Sequence, residues 1–129
     1  MTPKVLVVDD EPDMVELIRL ILRRGGWELL TATSGRQALQ LADAHSPHLI
    51  LLDLMMPDIS GYEVCAHLRR DARFRHVPIL AFTAHCQPEA QVLAFQAGVD
   101  DFIVKPVVPQ ELVDRVQSYL ARVPVASRA

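Results

Sequence analysis

Cysteine, tryptophan, surplus charge and long apolar runs are all scarce in this chain, and each scarcity excludes something. Two cysteines, Cys65 and Cys86, in 129 residues are too few for a disulfide framework or a zinc site, so both are read as reduced thiols. Lys and Arg number 13 against 16 Asp and Glu, a formal net charge of −3. Sequence-independent nucleic-acid binding draws on surplus cations, so direct nucleic-acid binding by this chain is not expected. The longest apolar runs are strand-sized, far short of the ~20 residues a membrane helix needs. Met-Thr-Pro-Lys runs straight into such a strand, with no signal-peptide h-region. No membrane association is expected, and the chain reads as cytoplasmic. No Gly-x-x-x-x-Gly-Lys and no Gly-x-Gly-x-x-Gly occurs, which leaves nucleotide binding without support. The histidines at 45, 48, 67, 76 and 85 form no ligand cluster, only Glu63 and His67 sharing a metal-like spacing, and they are expected at the surface.

What is present is ordinary globular composition, half apolar and 22% charged, in one domain's length. Apolar runs at Val5–Val8, Glu28–Ala32, Leu49–Leu52, Ile79–Phe82 and Phe102–Val104 are nearly continuous, as strands buried on both faces are. Amphipathic stretches lie between them. Met14, Leu17, Ile18, Ile21 and Leu22 recur at helical spacing, and Gly25-Gly26 ends that helix. Ser34 suits a cap for the next, which buries Ala38, Leu39, Leu41 and Ala42. Val64, Cys65 and Leu68 make a third stripe. Val92, Leu93 and Phe95–Ala97 suggest a fourth, ended by Gly98, and Pro109 opens the fifth before Leu112, Val113, Val116 and Leu120. Arg69-Arg70 with Arg73 and Arg75 reads as a solvated basic face. Five strand–helix repeats imply an open, doubly wound α/β fold with a parallel sheet. Ligands of such sheets bind outside the carboxyl ends of the strands.

Four of the five strands end in polar groups suited to one task. Asp9 and Asp10 close the first and Glu11 follows. Adjacent carboxylates repel and call for a cation or ample water, though acids also suit a helix N-terminus. A small cluster of hard oxygens fits Mg²⁺. Asp53 closes the third strand; a carboxylate there can attack phosphorus, or simply cap the next turn. Thr83 and Lys105 close the fourth and fifth strands, a hydroxyl and an ammonium of the kind that a transferring phosphoryl group needs around its oxygens. The coincidence weighs more than any single residue.

Val-Leu-Val-Val-Asp9-Asp10-Glu11-Pro12, Leu-Ile-Leu-Leu-Asp53-Leu-Met-Met-Pro57-Asp58-Ile-Ser-Gly61, Pro78-Ile-Leu-Ala-Phe-Thr83-Ala84 and Gly98-Val-Asp-Asp-Phe102-Ile-Val-Lys105-Pro106 appear in that order. With these four motifs, the chain resembles the response-regulator receiver family of two-component signalling over roughly residues 4–121. The resemblance implies a flavodoxin-like, CheY-like fold: a five-stranded parallel sheet in the order 2-1-3-4-5 with five helices. It implies a receiver domain over 1–122 and a tail or linker over 123–129. It further implies a phosphoprotein: Asp53 accepting the phosphoryl group from a histidine kinase or phosphotransfer protein, with Mg²⁺ on Asp10, Asp53, Asp9 (directly or through water) and the Met55 main-chain carbonyl. Lys105, Thr83 and the Ala84 N–H would hold phosphoryl oxygens. Phe102 matches the family's switch aromatic and Lys105-Pro106 its cis bond. Met55 and His85 fall where the family tunes dephosphorylation; an apolar Met55 cannot orient water, so a slow-to-moderate lifetime is expected. The output surface would be formed by the fourth helix, fifth strand and fifth helix, serving a dimer, a downstream protein, or an output domain outside this chain. Such a protein is a switch rather than a turnover enzyme. Two other readings stand beside it. One is a Mg²⁺-dependent phosphatase with an aspartyl nucleophile, though Met55 stands where the haloacid-dehalogenase type wants an acid. The other is a phosphorylation-independent scaffold.

Overall fold

The computed structural model describes residues 2–84 and 87–122. His85, Cys86 and the stretch 123–129 lie outside the described residues. The chain alternates β1 (Lys4–Val8), α1 (Pro12–Leu22), β2 (Glu28–Ala32), α2 (Gly35–His45), β3 (Leu49–Leu52), α3 (Gly61–Arg69), β4 (Ile79–Thr83), α4 (Pro88–Ala97), β5 (Asp101–Val104) and α5 (Pro109–Arg122). All strands pair in parallel, in the order β2-β1-β3-β4-β5. The doubly wound fold expected from the alternation is the one observed. Among the described residues, no helix is long and apolar enough to cross a membrane.

Successive strand residues serve opposite layers, which explains the unbroken apolar runs. Leu6, Val8, Ile50, Leu52, Ile79 and Ala81 pack with Ala38, Ala42, Val64 and Leu68. Val5, Val7, Leu49, Leu51, Leu80 and Phe82 pack on the other side with Ile18, Leu22, Leu112 and Val116. Truncating one such fully buried leucine to alanine typically costs about 2–5 kcal/mol.

The helices begin where the sequence supplies a cap or a proline. Ser34 Oγ accepts from Gln37 N–H (3.1 Å) and Ser60 Oγ from Glu63 N–H (3.2 Å). Pro12 and Pro88 occupy first-turn positions, where their missing N–H costs nothing. Gly26 ends the α1 region at φ +72, after a 3₁₀ turn Arg23–Gly25 that the sequence did not suggest.

Four expectations are corrected. The buried face of α4 is Ala90 and Ala94, whereas Val92, Leu93 and Phe95 are about half exposed, at 55%, 54% and 48%. α4 lies against α3, whose Tyr62 hydroxyl and Cys65 thiol reach the Ala90 and Ala97 carbonyls at 3.4 and 3.3 Å. Backbone that near a neighbour leaves room only for alanine. Leu17 of α1 is likewise exposed, the inner face being Val15, Ile18, Ile21 and Leu22. Arg69 is no solvated cation. Its Nε donates to the Gly98 carbonyl (3.0 Å), one Nη to the Phe74 and Val77 carbonyls (2.8 and 2.7 Å), and the other pairs with Asp100 (2.8 Å). Among the histidines, His48 is buried and its Nδ1 accepts from Lys4 N–H at 3.0 Å.

Candidate functional site at the carboxyl edge of the sheet

Strand register carries the candidate residues to one edge. Val8 pairs with Leu52 and with Ala32, Leu52 with Ala81, and Thr83 with Val104. The next residues therefore emerge together. Asp9 N–H donates to the Ala32 carbonyl (3.1 Å), Asp53 N–H to that of Val8 (2.9 Å) and Lys105 N–H to that of Thr83 (2.9 Å).

Carboxylate oxygens of Asp9, Asp10 and Asp53 all lie within 4.8 Å of one another. Asp9 is fully buried, and Asp53 is 4% exposed. Asp9 Oδ1 accepts from Glu11 N–H (2.9 Å) and its Oδ2 from Lys105 Nζ (2.8 Å). Asp53 Oδ1 accepts from Met55 N–H (3.1 Å), while its Oδ2 lies 3.5 Å from Lys105 Nζ. The ammonium also sits 5.0 Å above the Phe82 ring, a cation–π contact that helps seat it at the rim.

The charges shift one another's protonation. Burial is the main cause raising the Asp53 pKa from the ordinary 3.8 to about 6; the Met55 N–H opposes it, Asp9 adds to it, and Lys105 and Asp10 act less strongly in opposite directions. Burial by itself would lower the Lys105 pKa, but its hydrogen bond to Asp9 and the charge of Asp53 hold it above its usual value. A cluster of three acids with one ammonium carries excess negative charge in a poorly solvated place. Hard oxygen donors in that arrangement fit a divalent ion such as Mg²⁺.

Thr83, 1% exposed, ends β4 on the same edge, and Ala84 follows it exposed to solvent. The Met55 side chain stands 49% exposed in the loop after Asp53. Phe102 is partly buried against the layer of α2, α3 and α4, and pairs in register with Ala81 of β4. Lys105-Pro106 is cis, as the resemblance implied. His85 lies outside the described residues, so its placement adds nothing. Gly61 closes the loop: its N–H donates to the Leu54 carbonyl (3.0 Å), and a Cβ there would overlap the Asp53 carbonyl oxygen. The pairing of Lys105 with Asp9 and the close approach at Gly61 were not foreseen; both arise from tertiary distances that no spacing encodes.

Comparisons with known proteins bear on the family and the fold. The family model for the response regulator receiver domain matches residues 5–117. Among curated proteins, the alkaline phosphatase synthesis transcriptional regulatory protein PhoP of Bacillus subtilis is 40% identical over 98% of this chain and 52% of its own. The DNA-binding response regulator MtrA of Mycolicibacterium smegmatis is 40% identical over 95% of this chain and 52% of its own. A putative response regulator from Chloroflexus aurantiacus superposes with TM-score 0.89 at 38% identity, covering 95% of this chain and all of that one. The Vibrio cholerae chemotaxis protein CheY4 gives 0.88 at 30% identity, covering 92% and 99%. The chain belongs to the response-regulator receiver family of two-component signalling. It spans about half the length of the curated relatives it matches.

Proposed function

We propose that this chain is a phosphorylation switch in which Asp53 takes a phosphoryl group from the phosphohistidine of a kinase or phosphotransfer protein. The observation that carries it is the meeting of Asp9, Asp10 and Asp53 within 4.8 Å, with Lys105 3.5 Å from Asp53. An Asp53 carboxylate oxygen attacks phosphorus in line; the P–N bond breaks, and the imidazole leaves with that electron pair and takes up a proton. Asp10, Asp53, Asp9 and the Met55 carbonyl would hold Mg²⁺, which when bound neutralises charge on the phosphoryl oxygens. Lys105 pairs with one phosphoryl oxygen, while Thr83 and the Ala84 N–H donate to others.

Charge added at Asp53 draws Thr83 toward the phosphate, and Phe102 moves into the space vacated. The response is read on α4, β5 and α5, where Val92, Leu93, Phe95 and Val104 stand exposed, with Val108 just ahead of α5. That surface suits a second copy or a downstream protein; DNA binding, which MtrA carries in its name, would come from outside this chain. With apolar Met55 beside the acceptor, the acyl phosphate loses its phosphoryl group slowly to moderately. The protein is a cytoplasmic switch and not a turnover enzyme.

Incubation with Mg²⁺ and a small phosphodonor, read by intact mass, tests this. One phosphoryl group should add to the wild type and none to Asp53→Asn. Labelling that persists in Asp53→Asn, or steady-state hydrolysis of a phosphate ester, would remove the reading.

A further inference from the structure

Neither β2 nor α2 supplies an acid to the Asp9, Asp10 and Asp53 cluster, yet α2 is tied to the loop that carries Met55. In that loop, Asp58 Oδ1 accepts from Gly35 N–H and Oδ2 from Arg36 N–H, both at 3.1 Å. One carboxylate thus spans the first two N–H groups of α2, where the helix dipole favours an anion. The Arg36 N–H foremost, with those of Ile59 and Gly35, holds the Asp58 carboxyl below its ordinary range. The contact is close along its length: a Cβ at Gly35 would come 2.8 Å from the Ile59 carbonyl oxygen and 3.0 Å from a Val64 methyl.

α2 has its own local cap. Ser34 Oγ serves Gln37 N–H, and Gln37 Oε1 accepts from Thr33 N–H at 2.9 Å. What Asp58 adds is a tether between two segments 22 and 23 residues apart. The loop is fastened at its base by Asp53 Oδ1 accepting from Met55 N–H and by Gly61 N–H donating to the Leu54 carbonyl. Asp58 fastens its far end. Met55 stands at the first anchor, with its side chain half exposed.

We propose that Asp58 is a positioning residue for the metal and phosphoryl centre: by anchoring the loop to α2 it orients the Met55 carbonyl toward the ion held by Asp10 and Asp53. This rests on the reading of Asp53 as phosphoacceptor. It gives α2 a part in the site through two main-chain donors, the Gly35 and Arg36 N–H groups. Mutating a residue that orients a metal ligand from behind commonly costs about 10–100-fold in metal affinity.

The test uses the full chain without phosphodonor, titrated with Mg²⁺ and followed by amide chemical shifts, alongside thermal melting. Asp58→Ala should weaken Mg²⁺ binding by about tenfold and speed hydrogen exchange at the Met55 amide in metal-free protein. Ser34→Ala, which removes the local cap of the same helix, should lower the melting temperature while leaving the Mg²⁺ Kd and Met55 exchange unchanged. Equal effects of the two variants on Kd, or no effect of Asp58→Ala, would reduce Asp58 to a helix cap and overturn the proposal. Should Asp58→Ala not fold, Asp58→Asn carries the test, because its NH₂ faces an N–H donor and one bond is lost. Weaker Mg²⁺ binding than wild type is then expected, and parity overturns. A wild type that binds no Mg²⁺ would instead sink the underlying reading of the site.

Discussion

Lys105 Nζ lies 2.8 Å from Asp9 Oδ2 but 3.5 Å from Asp53 Oδ2, so its tighter partner is the fully buried acid and not the proposed phosphoacceptor. The ammonium therefore supplies, inside the acidic cluster, part of the positive charge that a metal ion would bring. Removing one partner of a buried pair typically costs about 3–5 kcal/mol, an upper bound at this rim. Lys105→Met should lower the urea midpoint of metal-free protein and, by deleting a competing cation, tighten Mg²⁺ binding. Denaturation with and without Mg²⁺ checks both, and weaker Mg²⁺ binding in the variant would contradict the electrostatic account.

The raised pKa of Asp53 makes a pH prediction with a definite sign. From the ordinary 3.8 to about 6, the folded protein holds a proton that the unfolded chain has released. Stability of the metal-free protein is thus fully retained below the lower value and falls as pH rises through the upper one. Asp53→Asn, which cannot ionise, should be more stable than wild type by up to about 3 kcal/mol near pH 7 and equal to it near pH 4. Chemical denaturation across that range measures the difference, and saturating Mg²⁺ should shrink it by binding the native state.

Gly61 is needed for its lack of a side chain. A Cβ would overlap the Asp53 carbonyl oxygen and come 2.6 Å from the Leu54 Cα, and backbone cannot move aside as a flexible side chain can. Gly61→Ala should cost about 1–3 kcal/mol of stability and displace the acceptor. Urea denaturation and phosphodonor labelling of the same sample would register both.

The exposed apolar face of α4 should be silent in folding and active in signalling. Phe95 and Val92, 48% and 55% exposed, can become serine with a change within about 0.5 kcal/mol each. Phosphorylation at Asp53 should proceed as before, while association of the phosphorylated chain is lost. Sedimentation with and without phosphodonor distinguishes this from a variant that is merely unstable.

The central strands were readable because their residues are buried on one side or the other, while the edge strand Glu28–Ala32 is only partly covered; Glu28–Ala32 and Leu49–Leu52 appear where their apolar runs placed them. Asp9, Asp53, Thr83 and Lys105 were readable for a related reason. A polar residue that ends a buried parallel strand has only the open edge to occupy. The face of α4 was not readable. Hydrophobicity ranks Val92 and Phe95 above Ala90 and Ala94, whereas the close approach of α3 admits only the small residues.

Arg69 and Asp58 escaped notice for another reason. Each looks in sequence like a solvated charge, and each is bound by main-chain groups contributed from distant segments: the Gly98, Phe74 and Val77 carbonyls, and the Gly35 and Arg36 N–H groups. Long-range side-chain-to-backbone bonds leave no periodic trace. The choice of Asp9 over Asp53 by Lys105 turns on 0.7 Å, the gap between 3.5 and 2.8 Å, which motif spacing does not resolve.

The measurement closest to the central claim is a titration of the whole chain with Mg²⁺ and beryllofluoride, a mimic of the phosphoryl group, followed residue by residue through amide chemical shifts. Beryllofluoride added to the Mg²⁺-loaded chain should move the resonances of Asp53, Ala84, Phe102 and Lys105 beyond where Mg²⁺ alone leaves them, and should move none of them in Asp53→Asn. Unmoved resonances in the wild type, or the same shifts in Asp53→Asn, would contradict it.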